Sequence, residues 1–311
     1  MNLSNPIYHD ADKAREHLEA LLWADGPVCP HCQTRDRASK IKGGRKGLYF
    51  CNACRQQFTV TVGTVFERSK IPLNKWVLAT HIMSASKTGV SAHQLHRMLD
   101  ITYKSAWFLC HRIREAMCGT NKSPMGGEGE QVQSDETYFG NSSKRAKGYK
   151  KGHSFKSGIF GLVDPGTGEA RAYHMKDGAN ARDVRDVLVR NASRESELHT
   201  DESPLYTRVG EEFDGHETVK HTGREYVRTK FYWQDGEPKT EKVHTNNVEN
   251  YFGVFKRGMR GTYIHCGEQH LQRYLNEFSF RYTHRSGLGY SDGERTALML
   301  KRIEGKRLTY R

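Results

Sequence analysis

Residues 131–139 read Gln131-Val132-Gln133-Ser134-Asp135-Glu136-Thr137-Tyr138-Phe139, directly after the polar, glycine-rich run 119–130 (GTNKSPMGGEGE). The nine-residue stretch predicts a β-strand that ends at its acidic pair. The run before it is the clearest linker in the chain and sets a domain boundary over 121–130. Working towards the C-terminus, 157–163 and 169–175 flank Asp164-Pro165-Gly166-Thr167-Gly168 and predict a hairpin. Residues 183–189 have a helical pattern, and 197–200 form a short strand leading into Asp201. The polar segment 215–240 is an irregular insertion or a further hairpin, and two helices run from Thr245 to about His284. The order β, ββ, α, β, α, α specifies a mixed sheet flanked by helices over 131–290.

Two carboxylates stand where these strands end: Asp135 closes the first and Asp201 the one after the hairpin and helix. Adjacent strands ending at one edge bring such side chains together. Carboxylates sharing a small volume repel unless a cation joins them, and Mg²⁺ takes one or two carboxylates plus phosphate oxygens. The helix over 245–260 supplies a third acid. Its buried stripe is Val248, Phe252, Phe255 and Met259, with Asn246, Glu249, Gly253 and Lys256 on a neighbouring stripe. Glu249 and Lys256, two turns apart, join an acid able to hold metal to a base able to grip a phosphate, with Arg257 beside it. An ordinary solvated helix face has the same pattern. Glu136 points to the opposite side of a continuing strand and is a bystander, whereas His199 shares the parity of Asp201 and is placed to meet a phosphate.

Working towards the N-terminus, Cys29-Pro30-His31-Cys32 and Cys51-Asn52-Ala53-Cys54 give the spacing C-x2-C-x18-C-x2-C. Each CxxC turn aims two sulfurs one way, and two turns complete a tetrahedron around one structural zinc. Tyr49-Phe50 and Phe58-Thr59-Val60 supply strand-like flanks, so 26–66 is a zinc ribbon, preceded by a lead-in helix within 1–25. Residues 67–120 hold three helices, the second and third separated by Asp100-Ile101-Thr102. A short helix, a tight break and a basic helix form a helix-turn-helix pattern, with Lys104, Arg112 and Arg114 available to a DNA backbone. Trihelical packing without DNA gives the same pattern. The basic loop 141–156 adds Lys144, Arg145, Lys147, Lys150 and Lys151 as DNA contacts.

The chain has 311 residues, 49 Lys+Arg and 36 Asp+Glu, for a net charge of +13. Four zinc-bound thiolates would lower that to about +11, still an excess that favours a polyanion. Seven cysteines is an odd number, and without a leader peptide two CxxC pairs point to metal rather than disulfides. No run of 18 apolar residues exists, so the expectation is a cytoplasmic, nucleoid-associated protein with no membrane partner. None of the 15 tyrosines sits in an Arg/His constellation of the kind a covalent tyrosine recombinase needs.

Several long stretches carry a resemblance. They are CPHC with CNAC, FTVTVGTVFERSKIPLNKW, SDETYFG, HTDES, and HTNNVENYFGVFKRGMRGTY followed by HLQRYLNEFSFRY. From about residue 20 to 285 the chain resembles bacterial insertion-sequence transposases with an N-terminal zinc ribbon and a DDE-type catalytic core. The resemblance implies an α+β, or mixed α/β, fold: ribbon and helix-turn-helix, an RNase H-like sheet flanked by helices, and a C-terminal tail over 291–311. It implies Asp135, Asp201 and Glu249 as the acidic triad and Lys256 as the basic residue two turns after the third acid. Some relatives carry Asn in the third position, and Asn246 stands one turn before Glu249. An anionic oxygen neutralises metal charge where an amide does not, which favours Glu249 and leaves Asn246 as a supporting or substrate contact. Two Mg²⁺ or Mn²⁺ ions, about 3.5–4 Å apart, would serve strand cleavage and then strand transfer at the ends of the element. The DNA partners are the terminal inverted repeats and a target, held by a homodimer or higher oligomer because two ends must be paired. A structure-specific metal-dependent nuclease and a non-catalytic zinc-ribbon regulator are the competing readings.

Overall fold

Asp10 caps the first helix, α1 (Ala11–Leu22), by accepting from the backbone of Asp12 and Lys13. Its inner face buries Ala14 and Leu18, and its outer face is tied to the segment after it: Tyr49 donates to Glu19 and Lys46 to Asp12. The structure, a computed structural model, describes residues 2–119, 123–140, 157–176, 179–220, 223, 227–234 and 237–309. Beyond α1 the chain forms a three-stranded antiparallel sheet of β1 (Ala38–Lys40), β2 (Tyr49–Cys51) and β3 (Gln57–Phe58). Too small for a core of its own, it packs Trp23, Tyr49 and Phe58 ring against ring beside Cys29 and Cys51.

Three helices come next: α2 (Leu73–Ala85), α3 (Ala92–Leu99) and α4 (Tyr103–Met117). Ser91 and Thr102 cap the last two through their hydroxyls, and Asp100 turns the chain between them in the left-handed region at φ 48°. Little of α2 faces water, since Trp76, Val77, Ala79, Thr80, His81, Met83 and Ser84 are all buried.

The strand β4 (Gln131–Phe139) opens the second unit, followed by β5 (Ser157–Val163), β6 (Ala170–Met175), α5 (Ala181–Asn191), β7 (Glu197–Asp201), the single turn α6 (Thr207–Gly210) and β8 (Gly215–Val219). The five strands lie in the order β6-β5-β4-β7-β8. β4, β5 and β6 pair antiparallel, while β4, β7 and β8 pair in parallel. A separate hairpin, β9 (Arg228–Gln234) and β10 (Glu237–Val243), precedes α7 (Asn246–Gly258) and α8 (Leu271–Thr283). One core, with Ile159, Val248, Phe252, Phe255 and Phe278, joins α7 and α8 to the sheet. A second, with Phe160, Leu162, Leu188, Leu198 and Tyr206, lies under α5. This is the mixed, RNase H-like sheet with helices on both faces. Among the described residues no helix is long and apolar enough to cross a membrane.

The chain ends in α9 (Asp292–Lys301), whose Ser291 and Glu294 form a capping box. Sequence alone sets 291–311 apart as a tail. The structure groups 284–311 with residues 1–119 as one unit and leaves 120–283 as the other. Thr296 on α9 is hydrogen-bonded to His81 on α2 at 2.9 Å, and Ile303 accepts from the backbone of Val65 at 3.0 Å. Met299, Leu300 and Ile303 are buried.

Candidate active site

β4 and β7 pair only from Gln131–Glu197 to Gln133–His199. Asp135 and Asp201 each lie two residues beyond the last pair, at the point where the ladder stops. Carboxylate oxygens of Asp135, Glu136 and Asp201 all lie within 4.8 Å of one another. Burial, reinforced by the charges of Asp201, Glu136 and Glu249, pushes the Asp135 carboxyl up to about 8. Burial also raises Glu136. Tyr206 donates to Glu136 at 2.6 Å, and its own phenol is driven well above its usual range by burial and that neighbouring charge, so it stays a donor. Asp135 and Asp201 each accept one backbone N–H, from Glu136 at 2.7 Å and Ser203 at 3.0 Å. These contacts leave most of the mutual repulsion in place. An all-oxygen donor set of this kind fits a hard divalent cation such as Mg²⁺ or Mn²⁺.

Sequence alone ends β4 at the acidic pair, but the strand runs on, because its antiparallel pairing with β5 continues to Phe139–Ser157. Asp135 sits at a strand end only with respect to β7. Glu136 does take the opposite face, that of Tyr206, yet its carboxylate joins the cluster instead of standing apart. His199 is fully buried and bonded to Glu197 at 2.9 Å, so it is not placed to meet a phosphate.

The N-terminus of α7 is held against β4 by one side chain. Buried Gln133 accepts from the backbone of Asn247 at 3.0 Å, and its amide nitrogen lies 3.1 Å from Nδ1 of His244. Opposite Asp135 on β5 stands Gly161, where a Cβ would come within 2.7 Å of Phe252 on α7. The missing side chain lets the helix approach the strands. Glu249 then occupies the first turn of α7, accepts from Thr245 at 3.0 Å, and adds its charge to those acting on Asp135. Asn246 is exposed at the first position of the helix, while Lys256 is half-buried and Arg257 exposed near its end. Gln133 was missed in the sequence; its signal is a polar residue of the same parity as Asp135 in a strand otherwise destined for burial.

The second cluster is sulfur. Cys29 lies 3.6 Å from Cys54 and Cys32 3.7 Å from Cys51, close to the ~3.8 Å edge of a tetrahedron with Zn–S of about 2.3 Å. The two knuckles are the same turn used twice: Gln33 donates back to Cys29 and Arg55 to Cys51, each at 2.8 Å and each left-handed. Desolvation pushes the Cys54 thiol up to about 12 while hydrogen bonding to Thr34 lowers Cys32 to about 6, so the sulfurs compete for charge. The donor set fits one structural Zn²⁺. Residues 9–57 match the transposase zinc-ribbon domain, and residues 127–283 match the ISXO2-like transposase domain. The chain belongs to the ISXO2-like transposase family. This transposase-family chain is 27% identical over 285 residues to an uncharacterized protein in transposable element ISH50 of Halobacterium salinarum, covering 86% of this chain and 90% of that one. A simian T-cell lymphotropic virus intasome in complex with PP2A regulatory subunit B56 gamma overlaps 60% of this chain and 67% of its own, at 15% identity and a TM-score of 0.29, a superposition too slight to inform the fold.

Of the cations expected to meet DNA in the transposase-family chain, the structure keeps some and removes others. Lys104 is exposed at the start of α4. Arg112 and Arg114 turn inward and are 6% and 2% exposed. The Arg112 guanidinium donates to the Glu67 carbonyl at 2.6 Å and lies over the rings of Trp76 and Phe108. Neither arginine is available to a phosphate, because α4 uses that face for packing. Lys144, Arg145, Lys147, Lys150 and Lys151 lie outside the described residues.

Proposed function

We propose that this chain is a DNA transposase that binds the ends of an insertion sequence and uses one acidic site to cut and then join DNA strands. The observation that carries this reading is the cluster of Asp135, Glu136 and Asp201 at the end of the β4–β7 ladder, with Glu249 in the first turn of α7 near enough for its charge to act on Asp135. Asp135, Asp201 and Glu249 would hold Mg²⁺ or Mn²⁺, which when bound supplies activation of the attacking hydroxyl and neutralisation of charge at the phosphate. Glu249 is the third acid on this reading, because its charge reaches Asp135, and Asn246 at the exposed start of the helix contacts DNA instead. The backbone N–H of Glu136 holds the Asp135 carboxylate in place, and Tyr206 holds the carboxylate of Glu136. Lys256 and Arg257, further along α7, offset phosphate charge. The zinc ribbon and the exposed start of α4, with Lys104, hold the element's terminal repeats, and two copies or more bring two ends together.

The test is a labelled DNA fragment carrying the element's own ends, incubated with zinc-loaded protein with and without Mg²⁺. Mg²⁺-dependent nicking at the end, followed by joining to a second DNA, is the expected result. Asp201→Ala should abolish both steps and leave end binding intact. Cutting without joining would make the protein a nuclease, and specific binding without any cut would make it a regulator.

A further inference from the structure

The β9–β10 hairpin lies in the chain between Asp201 and Glu249, and its two faces differ sharply. The inner face is tied down. Lys230 reaches Glu197 at 2.8 Å and Glu217 at 3.0 Å, Arg228 pairs with Glu217, Gln131 donates to Glu241, and Val243 is fully buried. The register places Thr229, Phe231 and Trp233 opposite Lys242, Thr240 and Pro238, and these six residues make up the outer face. All six are exposed, Phe231 by 77% and Trp233 by 75%, and none is an acid.

Two large rings held this far into water by an anchored hairpin call for a partner. A second copy of the chain is a poor fit: two aromatic side chains bury roughly 150–250 Å² each, against about 800 Å² per partner in a stable interface. Phe231 and Trp233 are two residues apart on one strand, a spacing of about 7 Å, which is twice the ~3.4 Å rise between stacked bases. That leaves room for one base between the rings. With Lys242 on the same face and no carboxylate to repel a phosphate, the chemistry is that of a single-strand stacking surface.

We propose that the outer face of the β9–β10 hairpin is a stacking platform for unpaired DNA bases, with Phe231 and Trp233 as its rings and Lys242 as its phosphate contact. The inference rests on the reading of the chain as a DNA-binding transposase and adds a preference for frayed or single-stranded ends. Its base continues through Val243 into His244 and Thr245, the residues that contact Gln133 and Glu249, so a strand opened at the acidic site has this platform nearby in the same unit.

The experiment uses the full-length zinc-loaded protein without added Mg²⁺, and two fluorescent duplexes that differ only in a short single-stranded tail. Wild type should bind the tailed duplex more tightly than the blunt one. Trp233→Leu and Phe231→Leu should each weaken tailed binding about five- to a hundredfold, as expected for loss of one stacked base. Both variants should hold the blunt duplex as wild type does, and Trp233→Phe should keep most of the preference. Equal affinity of wild type and the double variant for the tailed duplex would overturn the proposal. So would a mass measurement in which the double variant turns a dimer into a monomer, since the face would then be a subunit contact. Mg²⁺-dependent end cleavage is scored separately: if wild type cuts ends yet ignores the tail, the stacking platform falls and the transposase reading stands.

Discussion

Among single side chains, Asp135 carries opposed demands. Its carboxyl is pushed up to about 8 by burial and by the acids around it, against the usual value near 4. Between those limits the folded protein holds a proton that the unfolded chain has released. The contribution of Asp135 to the metal-free fold is therefore fully present below about pH 4 and lost as pH rises towards 8, the reverse of the common carboxylate case. Asp135→Asn should flatten that slope, raise the melting temperature at alkaline pH and abolish cleavage. Thermal melts of wild type and Asp135→Asn across pH, with and without Mg²⁺, test this; a gap between the two metal-free melting temperatures that does not change with pH would refute it. Arg112 makes a second case. Removing it strips a hydrogen bond from the Glu67 carbonyl and a cation from between two rings, so Arg112→Ala should cost about 2 kcal/mol in urea unfolding. Lys104→Ala should leave stability within about 0.5 kcal/mol and lower the salt slope of end binding by about 1. That Asp135 and Asp201 come together was legible, since parallel neighbouring strands that part at one edge bring their last acids to the same place. The arginines were not, since helical spacing alone does not say which face of α4 meets Trp76.

Between elements, the decisive approach is that of α7 to β4 and β5. Gly161 permits it, and Gly161→Ala would drive a methyl into the Phe252 ring 2.7 Å away. The expected loss is about 1–3 kcal/mol, read from the shift in urea midpoint, with cleavage falling further than stability because Glu249 rides on the displaced helix. An unchanged midpoint would mean that the helix has slack the packing does not suggest. The stripe Val248, Phe252, Phe255 and Met259 was readable from its spacing, and all four are buried. The β5–β6 hairpin was readable from its Pro-Gly turn, where Asp164 accepts from Gly166 and Thr167. The full extent of β4 was not readable. Its two edges stop pairing at different residues, Gln133 on one side and Phe139 on the other, and only three-dimensional neighbours record that. Gln133 escaped notice for the same reason: a glutamine in a strand has no chemistry until Asn247 and His244 are brought to it.

Across the whole molecule, the two-part organisation could be read from the glycine-rich run before β4, but the destination of the C-terminus could not. The pattern of α9 predicts a helix and says nothing of its partner. What claims it is an open seat on α2, filled by Thr296 against His81, and the turn at Thr64 and Val65, whose backbone pairs with Glu304 and donates to Ile303. The unit that begins with the zinc ribbon is thus completed by residues 284–311, with 120–283 inserted in between. On a ribosome adding about 5–20 residues per second, roughly ten to forty seconds separate the completion of α4 from that of α9. Through that interval the nascent chain has its zinc knuckles but lacks the last helix of the unit that carries them, and the segment after it that meets Thr64 and Val65. A message cut short within the insert would leave α2 uncovered, and its product would be material for proteases rather than a free competitor for the element's ends.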